Sequence, residues 1–253
     1  MGFKKRNYRQ LVTAFFAAFN CAFLLVSPAL AKKPGWLLRQ NSQTYGIVKT
    51  IVSPDGIRLE MGEIKVGMYP PNYRVAFWNE RTKFVFDESI EEFQRRVPQR
   101  RLPPGWLKKV EPAKPLNETL AGIKGKRYLW LAYDPKDPDG RKPKVDPRYP
   151  KSPFILYDYV CTENLGLPKR LNDVASICCY VPPGKGLPLR VTGSGNIVYL
   201  QTTLALKMMV DPAIFKAPKG YTRVKSEMEV LMKEPGLAKE DEVSDLFRAV
   251  PKK

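Results

Sequence analysis

Three cysteines, Cys161, Cys178 and Cys179, are the strongest nucleophiles after residue 31, and the 253-residue chain contains no histidine to act as their base. Thiol catalysis needs a thiolate, which a neighbouring base or cation must generate. The absence of His from the whole chain also excludes His-based triads, His metal sites and imidazole proton shuttles. Three sulfurs without His do not have the ligand spacing of a zinc site. A disulfide suits them better. Adjacent cysteines would close a strained ring, so the expected bond joins Cys161 to Cys178 or Cys179 and leaves one thiol over. Gly193-Ser194-Gly195 lacks the strand-to-helix setting of a nucleophile elbow and is expected to be a hairpin turn. Glu91-Glu92 and Glu240-Asp241-Glu242 suit the acidic starts of helices rather than paired catalytic carboxylates. No catalytic residue, cofactor or metal ion is expected, and the chain is read as non-enzymatic.

Apolar ligand binding is the chemistry left open. Tyr69, Tyr73, Phe77, Trp78, Phe84 and Phe86 crowd one region, and Trp130, Tyr133, Phe154, Tyr157 and Tyr159 crowd another. Core packing and an apolar cavity use the same residue types. The elements that hold them are β-strands. Tyr45 to Val52 is β-branched and apolar, and Ser53-Pro54-Asp55-Gly56 supplies turn chemistry. Ile57 to Met61 and Glu63 to Tyr69 alternate apolar and polar, as strands with one dry face do. Arg74 to Trp78 and Lys83 to Phe86 follow as a hairpin, and Ser89 with Glu92 forms a capping box for a short helix. Arg58 and Arg74 are the unusual strand residues, expected either to face water or to pair with Glu60 across a neighbouring strand. Later, Phe154 to Cys161 and Leu187 to Val191 suit strands, and Leu171 to Cys179 suits a short helix. From Ile197 to Val210 the period is 2, which places Val198, Leu200, Leu204, Leu206 and Met208 on one face. With Phe77, Phe84 and Phe86, these five are the candidate lining of a ligand cavity. Tyr221 to Met232 fits strand or helix, and 240–250 fits an amphipathic helix.

Charge and proline divide the chain further. There are 43 Lys+Arg against 25 Asp+Glu, and 24 prolines, which argue against long uninterrupted helices. The first 31 residues suit a cleaved signal peptide. They carry Lys4, Lys5, Arg6 and Arg9, then the mostly apolar Leu11 to Val26, then the small-x-small site Ala29-Leu30-Ala31. Without those four cations the remaining chain has a net charge of +14. Most of that excess lies in a basic, Pro-rich insertion at 94–153, with Arg95, Arg96, Arg100, Arg101, Lys108, Lys109, Arg141, Lys142 and Lys144 as its candidate surface. Proline interrupts both helices and central strands, so 94–115 and 134–153 are expected to be extended loops around a strand at 123–133. Such a surface suits solvent, an anionic membrane or an anionic envelope polymer. Nucleic acid is not an expected partner of an exported chain.

Two runs carry a family resemblance. VSPDGIRLEMGEIKVGMYPPNYRVAFWNERTKFVF (52–86) resembles the opening strands of LolA-like periplasmic lipoprotein-carrier and sorting proteins. GLPLRVTGSGNIVYLQTTLALKMMVDPAIFKAPKGYTRV (186–224) resembles the closing strands of the same group, with D-P-x-x-F and then P-x-G-Y after a strand. The resemblance implies an open antiparallel half-barrel whose concave apolar face is covered by helices and receives acyl chains. The sequence departs from the pattern in its basic insertion, and no long helix is evident before the first strand.

The expected fold is therefore α+β. A signal peptide at 1–31 precedes a single β-rich domain at 32–250, built on a strongly curved antiparallel sheet with a few short helices on the concave side. The expected function is an exported, periplasmic or secreted carrier for lipid or acylated protein. The alternative is a structural or interaction protein of the envelope that works through its basic surface.

Overall fold

Short alternating segments joined by tight turns pair with their neighbours in sequence, and most of this chain does so. The computed structural model describes residues 31–96, 102–139 and 151–232. Residues Lys33–Lys253 make up one unit and Met1–Lys32 another. The strands are β1 (Lys33–Ser42), β2 (Gly46–Ser53), β3 (Gly56–Met61), β4 (Ile64–Tyr69), β5 (Arg74–Asn79) and β6 (Phe84–Ser89). Helix α1 (Ile90–Arg96) separates these from β7 (Leu107–Leu120), β8 (Ile123–Tyr133) and β9 (Phe154–Thr162). Helix α2 (Lys169–Cys178), β10 (Leu187–Gly193), β11 (Val198–Val210), β12 (Thr222–Arg223) and α3 (Glu227–Met232) complete the order. All twelve strands belong to one curved, unclosed sheet, in the order β12-β6-β5-β4-β3-β2-β1-β11-β10-β9-β8-β7. Every pairing is antiparallel except that of β12 with β6.

The first strand lies in the middle of the sheet. β1 pairs with β2 on one side and with β11 on the other, joining two meanders. This strand is absent from the sequence reading. Trp36 and Leu38 face one way and Leu37 the other, so no alternation marks it.

The basic, Pro-rich stretch also departs from expectation. It is not merely loops around one strand, because Leu107–Leu120 is a strand of 14 residues. Proline is tolerated on an edge strand, where one row of backbone groups has no ladder partner. β7 is such an edge, and its pairing with β8 is irregular between Pro112 and Asn117. The ambiguous Tyr221–Met232 segment divides into β12 and α3. The amphipathic helix expected at 240–250 lies outside the described residues.

One face of the sheet is covered. Ile90 and Phe93 of α1, Leu171, Val174 and Ala175 of α2, Val230 of α3, and Leu165 and Leu167 all pack into a core with Leu38, Val52, Ile57, Val66, Met68, Val75 and Phe77. The expected capping box holds α1 in place. Ser89 N donates to Glu92 Oε2 at 2.9 Å, and Glu92 N donates to Ser89 Oγ at 3.2 Å. The helices contribute 7, 10 and 6 residues, too few to be stable without the sheet beneath them.

Candidate functional site

Residues directly opposite each other on paired strands share a face, so the register defines the covered surface. One row runs Ala205, Leu38, Thr50, Leu59, Val66, Phe77 and Phe86 across seven strands. The row beside it runs Lys207, Trp36, Val52, Ile57, Met68, Val75 and Glu88. Together they make a broad apolar floor, bounded by Lys207 at one end and Glu88 at the other. The Phe77 ring lies 6.3 Å from that of Phe86 and 6.0 Å from that of Phe93 of the overlying helix, tilted against both. Phe84 and Phe86 are only half-buried, as are Leu59, Met61 and Trp36. The floor therefore continues past the edge of its roof.

Polar groups in the floor are satisfied internally. Gln40 Nε2 donates to Thr202 Oγ1 at 3.0 Å and to the Pro188 carbonyl at 3.2 Å. Thr50 Oγ1 donates to Gln40 Oε1 at 2.7 Å, and Thr202 Oγ1 donates to the Leu189 carbonyl at 2.8 Å. This network fastens β2, β1 and β11 to β10, and sequence reasoning missed it. Its members are single polar residues in unrelated segments.

Past β11 the same face turns aromatic. Tyr159, Cys161, Val181, Val191 and Leu200 form a second buried cluster. Tyr128 lies 5.7 Å from Tyr159, Trp130 stacks at 5.7 Å on Tyr157, and Tyr157 meets Tyr199 edge-on at 5.8 Å. Lys185 and Lys108 each lie 5.1 Å from a ring centre, over Tyr128 and Trp130. An open pocket of about 580 Å³ adjoins the floor, lined by Trp36, Pro54, Leu165, Gly166, Lys207 and Met209. Lys207 Nζ lies 5.4 Å from the centre of the Trp36 ring.

The eight residues expected to line a cavity do not share one face. Phe77, Phe84, Phe86 and Leu200 belong to the covered side. Leu204, Leu206 and Met208 point the other way, and so does Val198. The cause is two β-bulges. Gln40 pairs with Thr202 and Arg39 with Leu204, which leaves Thr203 unpaired. Val191 pairs with Leu200 and Thr192 with Val198, which leaves Tyr199 unpaired. Each extra residue reverses the in–out sense of the strand.

The cysteines are also corrected. Cys161, Cys178 and Cys179 are all free, so the expected disulfide is not formed. Cys178 packs against the main core, while Cys179 turns to the second cluster beside Cys161. Burial pushes the Cys179 thiol up to about 12 and raises Cys161 and Cys178 well above an ordinary thiol. Such groups stay protonated and unreactive.

The candidate basic surface is dispersed. Arg96 bridges Glu88 and Glu227, tying α1 to β6 and α3. With Arg95, Glu88, Glu92, Arg74 and Phe86 it lines an open groove of mixed charge. Lys109 pairs with Glu111 at 2.7 Å and, like Lys108, lies over an aromatic ring. Arg100, Arg101, Arg141, Lys142 and Lys144 lie outside the described residues. Arg58 faces away from the floor and pairs with Glu60 at 3.0 Å, but within its own strand and not across a neighbouring one as expected. Arg74 pairs with Asp87 on the adjoining strand β6 instead of with Glu60. Among the described residues no group of three or more Cys, Asp or Glu is placed to hold a metal ion. No helix among them is long and apolar enough to cross a membrane. No protein-family model matches the chain, and no curated protein matches it in sequence.

Proposed function

We propose that the protein is an exported, non-enzymatic carrier that holds an acyl chain of a lipid or acylated protein against the covered face of its sheet. In this reading the sheet is an open half-barrel, its concave side is the apolar floor, and α1, α2 and α3 are the cover. The observation that carries it is the floor itself. It spans seven strands and, among the described residues, is roofed by helices of 7, 10 and 6 residues and by the segment that carries Leu165 and Leu167. Acyl chains gain about 0.8 kcal/mol per buried CH₂ and need no polar partner there. Lifting a short helix uncovers Phe77, Phe86 and Val66 without breaking any strand pairing. The pocket beside Trp36 and Leu165 offers an entrance, with Lys207 next to an anionic head group. The resemblance of 52–86 and 186–224 to LolA-like carriers supports the same reading.

Native mass spectrometry of the purified protein tests it directly, with co-purified lipid as the expected result. A fluorescent fatty-acid probe adds a second test: uptake by the wild type, and loss of uptake in Val66→Trp, where the added ring occupies the floor. A protein that carries no lipid and takes up no probe is not a carrier. The second reading, a structural or interaction protein of the envelope, is favoured by the complete burial of Leu38, Ile57, Met68 and Val75, which describes a filled core. That reading expects neither lipid nor probe.

A further inference from the structure

We propose that the uncovered face of β2, β1 and β11 is a docking surface for an anionic lipid interface, separate from the apolar floor and from the basic Pro-rich segment. The register puts Leu206, Leu37 and Ile51 in one line across three strands, with Leu204 and Met208 on either side of Leu206 along β11. Leu204, Leu206 and Met208 are 42%, 47% and 38% exposed, and Leu37 and Ile51 are half-buried. Large apolar side chains in a contiguous patch mark an interaction site rather than scattered surface residues.

Charge identifies the occupant. Arg39 stands directly opposite Lys49 and next to Leu204 on its other side. Like charges placed opposite each other destabilise a sheet unless a counter-charge joins them. Among the described residues neither Arg39 nor Lys49 has a carboxylate partner. Glu60, which faces Lys49 across the next pair of strands, is already engaged by Arg58 at 3.0 Å and by Lys65 at 3.7 Å. The patch thus combines exposed Leu and Met with two unneutralised cations, which is the composition of a surface that inserts shallowly among anionic head groups. A second copy of the chain fits less well. Five apolar side chains fall far short of the roughly 20–30 residues a side of a stable protein interface. A symmetric pairing also brings Arg39 and Lys49 towards their own copies.

Vesicle co-sedimentation tests the assignment on the full chain and its variants, so that any contribution of the N-terminal segment is common to all. The vesicles are phosphatidylcholine alone, or phosphatidylcholine with phosphatidylglycerol. Wild type is expected to prefer the anionic vesicles, and the preference should fall as salt is raised. Arg39→Gln with Lys49→Gln should lower that preference about 25-fold, at about fivefold for each cation near the surface. Leu204→Ser with Leu206→Ser should weaken binding to both vesicle types. All four positions face solvent, so neither double variant should unfold below the wild-type temperature, and relief of the Arg39–Lys49 repulsion should raise that of the charge variant. The assignment fails if both double variants sediment like the wild type. It fails equally if wild type forms a dimer that Leu204→Ser with Leu206→Ser dissolves, because the occupant is then a second copy.

Discussion

Phe215 occupies space that Gly56 leaves empty. A Cβ on Gly56 would come within 2.6 Å of the Phe215 ring carbon Cγ, and one on Gly67 within 2.9 Å of the Trp78 ring. The 3-10 turn Pro212–Phe215 therefore covers the side of β3 and β4 that faces away from the helices. It is held there by Asp211 Oδ1, which accepts from Ala213 N at 2.8 Å, and by Arg58, which donates to the Ile214 carbonyl at 3.2 Å. Phe215 is fully buried. Phe215→Ala should cost about 3–5 kcal/mol, and Gly56→Val should destabilise the same contact from the other side. Denaturant unfolding measures both. A Phe215→Ala cost below about 1 kcal/mol would contradict the packing.

The bulge at Thr203 makes a sharp contrast within one sheet. Leu204→Ala should change stability by no more than about 0.5 kcal/mol, as surface substitutions do. Leu38→Ala, on the covered face of the adjoining strand, should cost about 2–5 kcal/mol. Equal costs in urea unfolding would place both leucines on the same side.

Burial of the thiols fixes the direction of alkaline behaviour. The raised values of Cys161, Cys178 and Cys179 mean that the folded state holds its protons longer than the unfolded state does. Their contribution is fully present below the unfolded value of about 8.5, and stability should decline as pH rises above it. Cys161→Val should flatten that decline. Thiol reagents at pH 8 should label the native protein slowly, and unfolding without reductant should expose all three of these thiols. A count of one would restore a disulfide.

Glu92 governs the acid side of α1. Its carboxylate accepts from the Ser89 backbone N–H and hydroxyl, which holds it below the usual glutamate range. This contribution is present above the unfolded value of about 4.3 and is lost as pH falls through the lower folded value. Glu92→Gln should therefore be less stable than wild type at neutral pH, with the gap closing below about pH 4. A gap that stays constant from pH 7 to pH 3 would remove the cap from the account.

The first meander was legible because its information is local. Ser53-Pro54-Asp55-Gly56 and the Asn79–Thr82 turn fix hairpins between neighbours, and alternation assigns their faces. What the sequence did not disclose is set by distant partners. β1 carries apolar residues on both faces because β2, β11 and the roof all claim it. β7 keeps Pro112 and Pro115 because it ends the sheet. The bulges at Tyr199 and Thr203 arise from fitting β11 to β10 and β1 together, and nothing in Val198–Val210 itself announces them. The candidate floor was therefore partly legible: Phe77, Phe84 and Phe86 fall on it and Leu200 on its aromatic continuation, while Trp36, Leu38, Val66 and the Gln40 network were found only in the fold.

The central place of β1 sets an order of assembly. It is the first of the described strands to be synthesised, yet one of its two hydrogen-bonding edges is completed only by Val198–Val210. β1 to β6 can close as successive hairpins, each with a short loop. The edge facing β11 then stays open while more than a hundred further residues are made, and an open edge is a template for pairing with another chain. Truncation before Val198 should accordingly give an aggregating fragment rather than a smaller soluble domain, and the slow step of refolding should be the docking of the last long strand against the first.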